Sequence, residues 1–468
     1  MNAAQAAPGA THRAGGWQCL GPVATEEGLT TLKGMKMRWS PSRIRTFRAL
    51  RHPNYRLLWL EHVLSSTGQQ MRVMVRGLLV YQITASAFSL GWVVTVVGIP
   101  QLVMPFFGGV LADRMDRRKL LVTMQWLLTT LWIAVAVLIL AGSIQIWHIV
   151  VSGLVSGTLQ AFSRPASLAL LPTTVPREDL TNAVALFASV MSVAGIVGPS
   201  LGGLLVLWIG GSDEQFGIGG VFLITGLAIL AASFFVMMIR LDYRPSAAAR
   251  RSILNSLMEG MRFVRGDSAI MGLILLGFAS SLLVQPVTFF MPVFADDVLH
   301  VGATGLGLLL TARGFGAFAG AMSVASFGSV REKGRILFAA VIVNSVALFL
   351  FAQSGWLPAS LALMAVTGAV STIVMTMSQS LLQLATPDEM MGRVMSSRMV
   401  SMGFMSVGSL WIGAMAEVAG APLAVALGAV AYGVFALALF GLNPRLRRSE
   451  EWDSTVSGAS VANPATPE

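Results

Sequence analysis

One carboxylate and five guanidinium groups lie within otherwise apolar stretches of this chain. The acid is Glu61, and the bases are Arg72, Arg76, Arg164, Arg313 and Arg398. Ionisable groups in such settings are costly, and they mark proton relays, ion pathways or ligand sites. A lone acid of this kind can carry a proton, and buried arginines without acids can hold an anion. Glu61 and Arg72 stand eleven residues apart, about 16 Å along a helix, too far for a direct pair within it. Glu61 is therefore the candidate proton site, with an interfacial anchor as the competing reading. Arg164 and Arg398 are near enough to a surface to snorkel. Arg72, Arg76 and Arg313 are left as candidate anion-binding groups, unless they pair across helices with Glu61, Asp296 or Asp297.

Uncharged polar residues fall on the same helical faces. Glu61, Ser65, Gly68, Gln69, Arg72 and Arg76 occupy about 80–100° of helix surface at 100° per residue. Ser152, Ser156, Gln160 and Ser163 share a face, as do Ser281, Gln285 and Thr288, and Thr372, Thr376, Gln379 and Gln383. Every third apolar segment thus carries a polar stripe, and four such stripes are expected to line a wet central cavity. Its candidate lining is Ser65, Gln69, Arg72, Arg76, Gln160, Gln285, Arg313, Thr376, Gln379 and Gln383. Hydrogen bonding between helices is the alternative use of such groups. His62 reads as a packed residue.

The elements that hold these residues are long apolar helices. Hydrophobic residues make up 55% of the chain and charged ones 12%, a balance far from that of soluble proteins. A span needs about 20 apolar residues. Twelve stretches qualify, near 57–82, 88–110, 119–141, 147–170, 182–209, 218–239, 269–294, 304–327, 335–354, 358–384, 394–416 and 421–441. Of the 32 Lys and Arg residues, five sit in the interior of these spans, and the other 27 lie in the tails and in alternate loops or at the span ends that border them. The six short loops on the opposite side carry none. That asymmetry places both termini in the cytoplasm of a multi-pass cell-membrane protein.

Five regions follow. Residues 1–42 read as a disordered cytoplasmic tail, with Met35 and Met37 as alternative starts. Residues 43–239 hold six spans and 269–441 the other six. A cytoplasmic connector, 240–268, carries an amphipathic pattern in Ile253, Leu254, Leu257, Met258 and Met261. Residues 442–468 form a second tail. The halves echo one another. Phe47–Arg51 matches Met261–Arg265, Leu90-Gly91 matches Leu306-Gly307, and Pro176-Arg177-Glu178 matches Pro387-Asp388-Glu389, at offsets of 211 to 216 residues. Two six-helix halves related by an axis along the membrane normal make a transporter architecture. The fold class is therefore an all-α polytopic membrane protein of twelve helices.

Several functions lose support. The net charge of +10 flanks apolar segments without forming one basic face, so lipid rather than nucleic acid is the expected partner. No Gly-Lys dipeptide occurs, which removes a phosphate-binding loop and ATP as the driver. The single cysteine, Cys19, removes an internal disulfide and a cysteine-built metal site. No cofactor, metal or catalytic residue is expected. The partners are a small-molecule substrate, protons and membrane lipid, and the protein is expected to be a monomer.

Two motifs add a family. Gly109-Val110-Leu111-Ala112-Asp113-Arg114-Met115-Asp116-Arg117-Arg118-Lys119 follows the second span. It resembles the loop signature of the major facilitator superfamily, with Asp116 in place of its second glycine. In the fifth span, Gly195, Gly198, Pro199, Gly202 and Gly203 resemble the antiporter motif of that family, with the first glycine displaced by one position. The stretch 43–441 is similar to the bacterial drug- and siderophore-exporting branch. The resemblance implies two halves that rock about a central site. It also implies a gating loop built on Gly109, Asp113, Arg114, Arg117 and Arg118, and proton-coupled export of a small drug- or siderophore-like amphiphile, which the arginines within the spans make an anion by expectation. Uptake, lipid flipping and a transport-inactive sensor are the rival expectations.

Overall fold

Where hydrocarbon replaces water, a backbone must satisfy its own N–H and C=O groups, and isolated apolar stretches do so as helices. The computed structural model describes residues 45–103, 116–239, 262–326, 333–387 and 403–443, with Met390, Met391, Val394, Met395, Arg398 and Ser401 between the last two stretches. Among them stand twelve helices that match the twelve predicted spans. They are α1 (Pro53–Thr84), α2 (Ala87–Val103), α3 (Arg117–Leu140), α4 (Ile146–Leu170), α5 (Leu180–Gly210) and α6 (Glu214–Met238) in the first half. The second half holds α7 (Ser268–Leu283), α8 (Gly302–Ser326), α9 (Lys333–Ala352), α10 (Leu357–Ala385), α11 (Met405–Ala419) and α12 (Ala421–Leu442). The tails and the amphipathic part of the connector, through Met261, lie outside the described residues.

Nine of these helices are long and apolar enough to cross a membrane, α7 only when counted with its continuation to Val298, and α2 and α11 are shorter apolar helices. The exception is α1. It has 32 residues, but Arg56, Glu61, Gln69, Gln70, Arg72 and Arg76 lower its apolarity. The helix least suited to lipid is the one that carries the candidate chemistry.

Successive helices joined by short turns alternate in direction. The end where α1 begins is termed the near end, and the opposite one the far end. Packing repeats at an offset of six helices. In the first half α2 packs on α4, α3 on α4 and α3 on α6, while in the second α8 packs on α10, α9 on α10 and α9 on α12. Across the halves, α5 packs on α8 and α11 on α2 by the same offset. The faint sequence repeat is thus a repeat of packing.

The cross-half contacts are backbone against backbone. A Cβ on Gly91 of α2 would fall on the Ser409 carbonyl oxygen of α11, and one on Gly203 of α5 would lie 2.9 Å from the Ala303 carbonyl oxygen of α8. Thr95 Oγ1 donates to the Ser406 carbonyl at 2.6 Å, and Ser200 pairs with Thr311. Without a hydrophobic drive between helices in lipid, such close approach supplies the association. Replacing Gly91 with Val is expected to hold α2 and α11 apart, at a cost of about 1–3 kcal/mol for overpacking. The check is labelling of a buried far-half cysteine, such as one at Val93, by an impermeant maleimide. The Val variant should label several-fold faster than the glycine parent.

At the near end, the first half is stapled by side chains. Arg48 Nε and His52 Nε2 meet the two carboxylate oxygens of Asp179 at 2.8 and 2.9 Å. The Tyr55 hydroxyl donates to the Ala183 carbonyl at 2.7 Å. Asp116, the departure from the loop signature, is the N-cap of α3 and accepts from the backbone N–H of Arg118 and Lys119. An acid here satisfies orphan donors that a glycine would leave to water. Arg117 then donates to the Ala169 carbonyl, and Arg118 to those of Val236 and Met237. Both arginines thus sit at the negative C-terminal ends of α4 and α6.

Candidate functional site

The seventh span breaks where its polar residues fall. After Leu283 the chain runs as a 3-10 segment, Gln285–Phe290, a short turn at Met291–Val293 and a π-turn at Phe294–Val298. Pro286 and Pro292 explain the break, since each lacks an N–H and crowds the preceding turn. Freed backbone of this kind is tolerated at membrane depth only where protein or a cavity receives it. Here it borders a cavity of about 290 Å³ between the two halves, lined from α1, α2, α5, the 3-10 segment and short turn that follow α7, α8 and α10.

That cavity is apolar with few polar groups, the composition of a ligand site. Met74, Val93, Phe289, Leu310 and Met375 give it apolar walls, and Gln70, Gln285, Thr288, Ser371 and Thr372 give it uncharged polar groups. Its charged lining residues are Arg76 from the first half and Arg313 from the second. Arg313 donates to the Thr288 hydroxyl. Among the described residues the ion pairs join Arg48 and His52 to Glu178 and Asp179, and none involves Arg72, Arg76 or Arg313. Two uncompensated guanidinium groups therefore face one space from opposite halves. The antiporter-like residues shape its wall. Gly195 and Pro199 line the cavity, while Gly198 and Gly202 bring α5 against Gln70, Met71 and Met74 of α1.

A second cavity, about 430 Å³, lies within the first half, between the near half of α1 and helices α3, α4, α5 and α6. Glu61 is buried there. Its Oε1 accepts from Ser65 Oγ at 2.9 Å and from Gln125 Nε2 at 2.7 Å. Among the described residues its Oε2 has no partner, and neither do Gln125 Oε1, His62 Nε2 and Arg72 Nη1. Arg72 lies with its guanidinium carbon 5.1 Å from the Trp132 ring centre, a cation–π contact that substitutes for an anion. Gly68 leaves room for it, since a Cβ there would lie 3.2 Å from Arg72 Nη1. His62 is packed as expected, stacked at 3.6 Å on the Phe187 ring, yet it also lines this cavity.

The single cavity expected from four polar stripes is thus two. Arg76, Gln285 and Arg313 meet at the centre, whereas Ser65, Gln69, Arg72 and Gln160 join Glu61 in the second cavity. The stripe of α4 does not reach the centre. Ser152, Ser156 and Ser163 bond to carbonyls of their own helix, the use that hydroxyls most readily find in helices. Thr376 and Gln383 are exposed, Gln379 is half-buried, and none of the three lines either cavity. Gly109, Asp113 and Arg114 lie outside the described residues. The stripes did not mark Gln125. Its signal was a lone amide in an apolar third span.

Comparison with known proteins agrees with this architecture. A family model described as transmembrane secretion effector matches residues 44–466. The Enterobactin exporter EntS of Shigella boydii serotype 18 is 26% identical over 347 residues, covering 73% of this chain and 80% of the relative. EntS of Escherichia coli O139:H28 matches to the same extent. Among solved structures, a bacterial homologue of the human lysosomal transporter Spinster, inward-facing and unoccupied, superposes with a TM-score of 0.66 at 13% identity, covering 85% of this chain and 97% of that one. The human organic anion transporter MFSD10 does so at 0.55 and 14%, covering 83% and 99%. With the loop signature, the antiporter-like fifth helix and the repeated packing of two six-helix halves, these matches make the chain a member of the transmembrane secretion effector family within the major facilitator superfamily.

Proposed function

We propose that the protein exports an acid-bearing amphiphile across the inner membrane, driven by protons, with both termini in the cytoplasm. The observation that carries this reading is the pairing of Arg76 and Arg313 in one central cavity whose lining residues include no acid. Both guanidinium groups are half-buried, and charge held at membrane depth without a partner acid is costly, so a cavity that keeps two such groups is built for an anion that arrives and leaves. Apolar walls supply the rest of an amphiphile's surface.

Glu61 is the proton site. It is buried beside the path, has one carboxylate oxygen without a partner among the described residues, and is fixed by Ser65 and Gln125. The near end faces the cytoplasm by the distribution of Lys and Arg. With the far end closed by α2 on α11 and α5 on α8, this is the loading state of an exporter. The relatives' name, enterobactin exporter, supports the outward direction and a siderophore-like substrate. The protein works as a monomer by rocking one half against the other, and no bond-making chemistry is assigned to it.

Everted membrane vesicles test the substrate class. On energisation, vesicles with the protein should accumulate an anionic amphiphilic dye in excess of vesicles without it, and should leave a cationic dye of similar size outside. Accumulation of the cation alone would overturn the reading.

A further inference from the structure

At the far end, two carboxylates each reach across to the opposite half. Glu214, the first residue of α6, accepts from the backbone N–H of Ala303 at the start of α8 at 3.3 Å, and from Gln82 Nε2 at the end of α1 at 2.6 Å. Glu417, in the last turn of α11, accepts from the backbone N–H of Phe88 at the start of α2 at 3.1 Å, and from Ser86 Oγ at 3.0 Å. Phe88 and Ala303 are 215 positions apart, within the offset of the internal repeat. An acid of the first half therefore caps a helix of the second, and an acid of the second caps the equivalent helix of the first.

Ordinary caps in this protein stay at home. Asp213 accepts from Phe216 N–H within its own helix, and Asp267 from the N–H groups of Ala269 and Ile270. Glu214 and Glu417 depart from that pattern, and the chain makes room for one of them. Gly302 has φ +58°, and a Cβ there would lie 2.9 Å from Glu214 Oε1. A third link, from the Tyr81 hydroxyl to Asp297, joins α1 to the end of the seventh span.

We propose that Glu214 and Glu417 form a reciprocal pair of latches that hold the far end shut and set the balance between the two faces of the transporter. The proposal deepens the alternating-access reading above and rests on it. Orphan N–H groups at a helix start bind a carboxylate with both hydrogen-bond and dipole energy. Opening the far end draws α2 from α11 and α5 from α8, and this breaks both caps together. Glu417 is exposed and Glu214 half-buried, so each released acid returns to water at little cost and the latch is reversible.

Spin-label distances in lipid nanodiscs test this on the full chain, in a Cys19→Ser background. Labels at Ser143→Cys and Gln353→Cys report the far end, and labels at Arg177→Cys and Arg265→Cys report the near end. Each of Glu214→Gln and Glu417→Gln is expected to raise the ratio of far-open to far-closed molecules about tenfold, and the double variant about a hundredfold. The far distance should lengthen while the near distance shortens. Unchanged distances in the double variant would overturn the latch, and so would equal broadening at both ends, the mark of a merely loosened fold. If Glu214→Gln fails to fold, the exposed Glu417→Gln alone carries the test. A wild-type protein that moves no substrate, with distances that still shift, would sink the transport reading and leave the latch standing.

Discussion

Arg313→Gln is expected to lower export of an acid-bearing compound by ten- to a hundredfold while the protein stays folded in the membrane. The range follows from losing a charge-assisted contact to a buried anion, worth about 1.5–3 kcal/mol. Arg313 donates to Thr288 beside the break in the seventh span, and glutamine removes the charge while keeping a polar, hydrogen-bonding side chain in the cavity wall. Fold loss and function loss therefore separate. Arg76→Gln should act in the same direction from the other half, because both arginines line the same cavity. The check is initial uptake of an anionic dye into everted vesicles, with membrane abundance measured in parallel. Equal uptake by the parent and both variants would remove the arginines from substrate binding.

Glu61→Gln should abolish gradient-driven transport and spare exchange of substrate for substrate. Glutamine matches the size of glutamate, and its amide oxygen can still accept from Ser65 and Gln125, which hold Glu61 Oε1 in place. What it cannot do is take up and release a proton. Counterflow in liposomes without a pH gradient should therefore run near the parental rate, while an imposed gradient should no longer drive accumulation. Loss of both activities would make Glu61 a structural residue. Retention of both would remove it from coupling.

Much of this arrangement was legible in the chain because lipid enforces it. Span positions follow from apolar length, and the twelve predicted segments coincide with α1 to α12 within a few residues outside the shorter α2, α7 and α11. The repeat in three short motifs forecast the six-helix offset in packing. The division of the polar path into two cavities was not legible. Ser152 and Arg76 read alike as polar residues on a helical face, yet the hydroxyl turned to its own backbone and the guanidinium had no such recourse. Periodicity locates a face, while the reach and bonding capacity of each side chain decide what it meets. Asp116 taught the same lesson. As a motif position it was a departure, but as an N-cap it closes the start of α3.

The far-end carboxylates were hidden for another reason. Glu214 and Glu417 stand at helix ends, where acids are ordinary, and only the packing of α6 near α8 and of α11 on α2 shows that their partners belong to the other half. Sequence assigns a cap to its nearest helix by default. Gly302 was the one local clue, since its positive φ marks backbone that a side chain would obstruct.

Purified protein in liposomes, facing an acid-inside pH step, offers the sharpest single measurement. Uptake of an anionic amphiphile should rise with the step, with protons leaving the lumen in proportion, and both signals should vanish when the gradient is collapsed. Uptake that ignores the gradient, or proton movement that the substrate leaves unchanged, would contradict a proton-driven exporter built around Arg76 and Arg313.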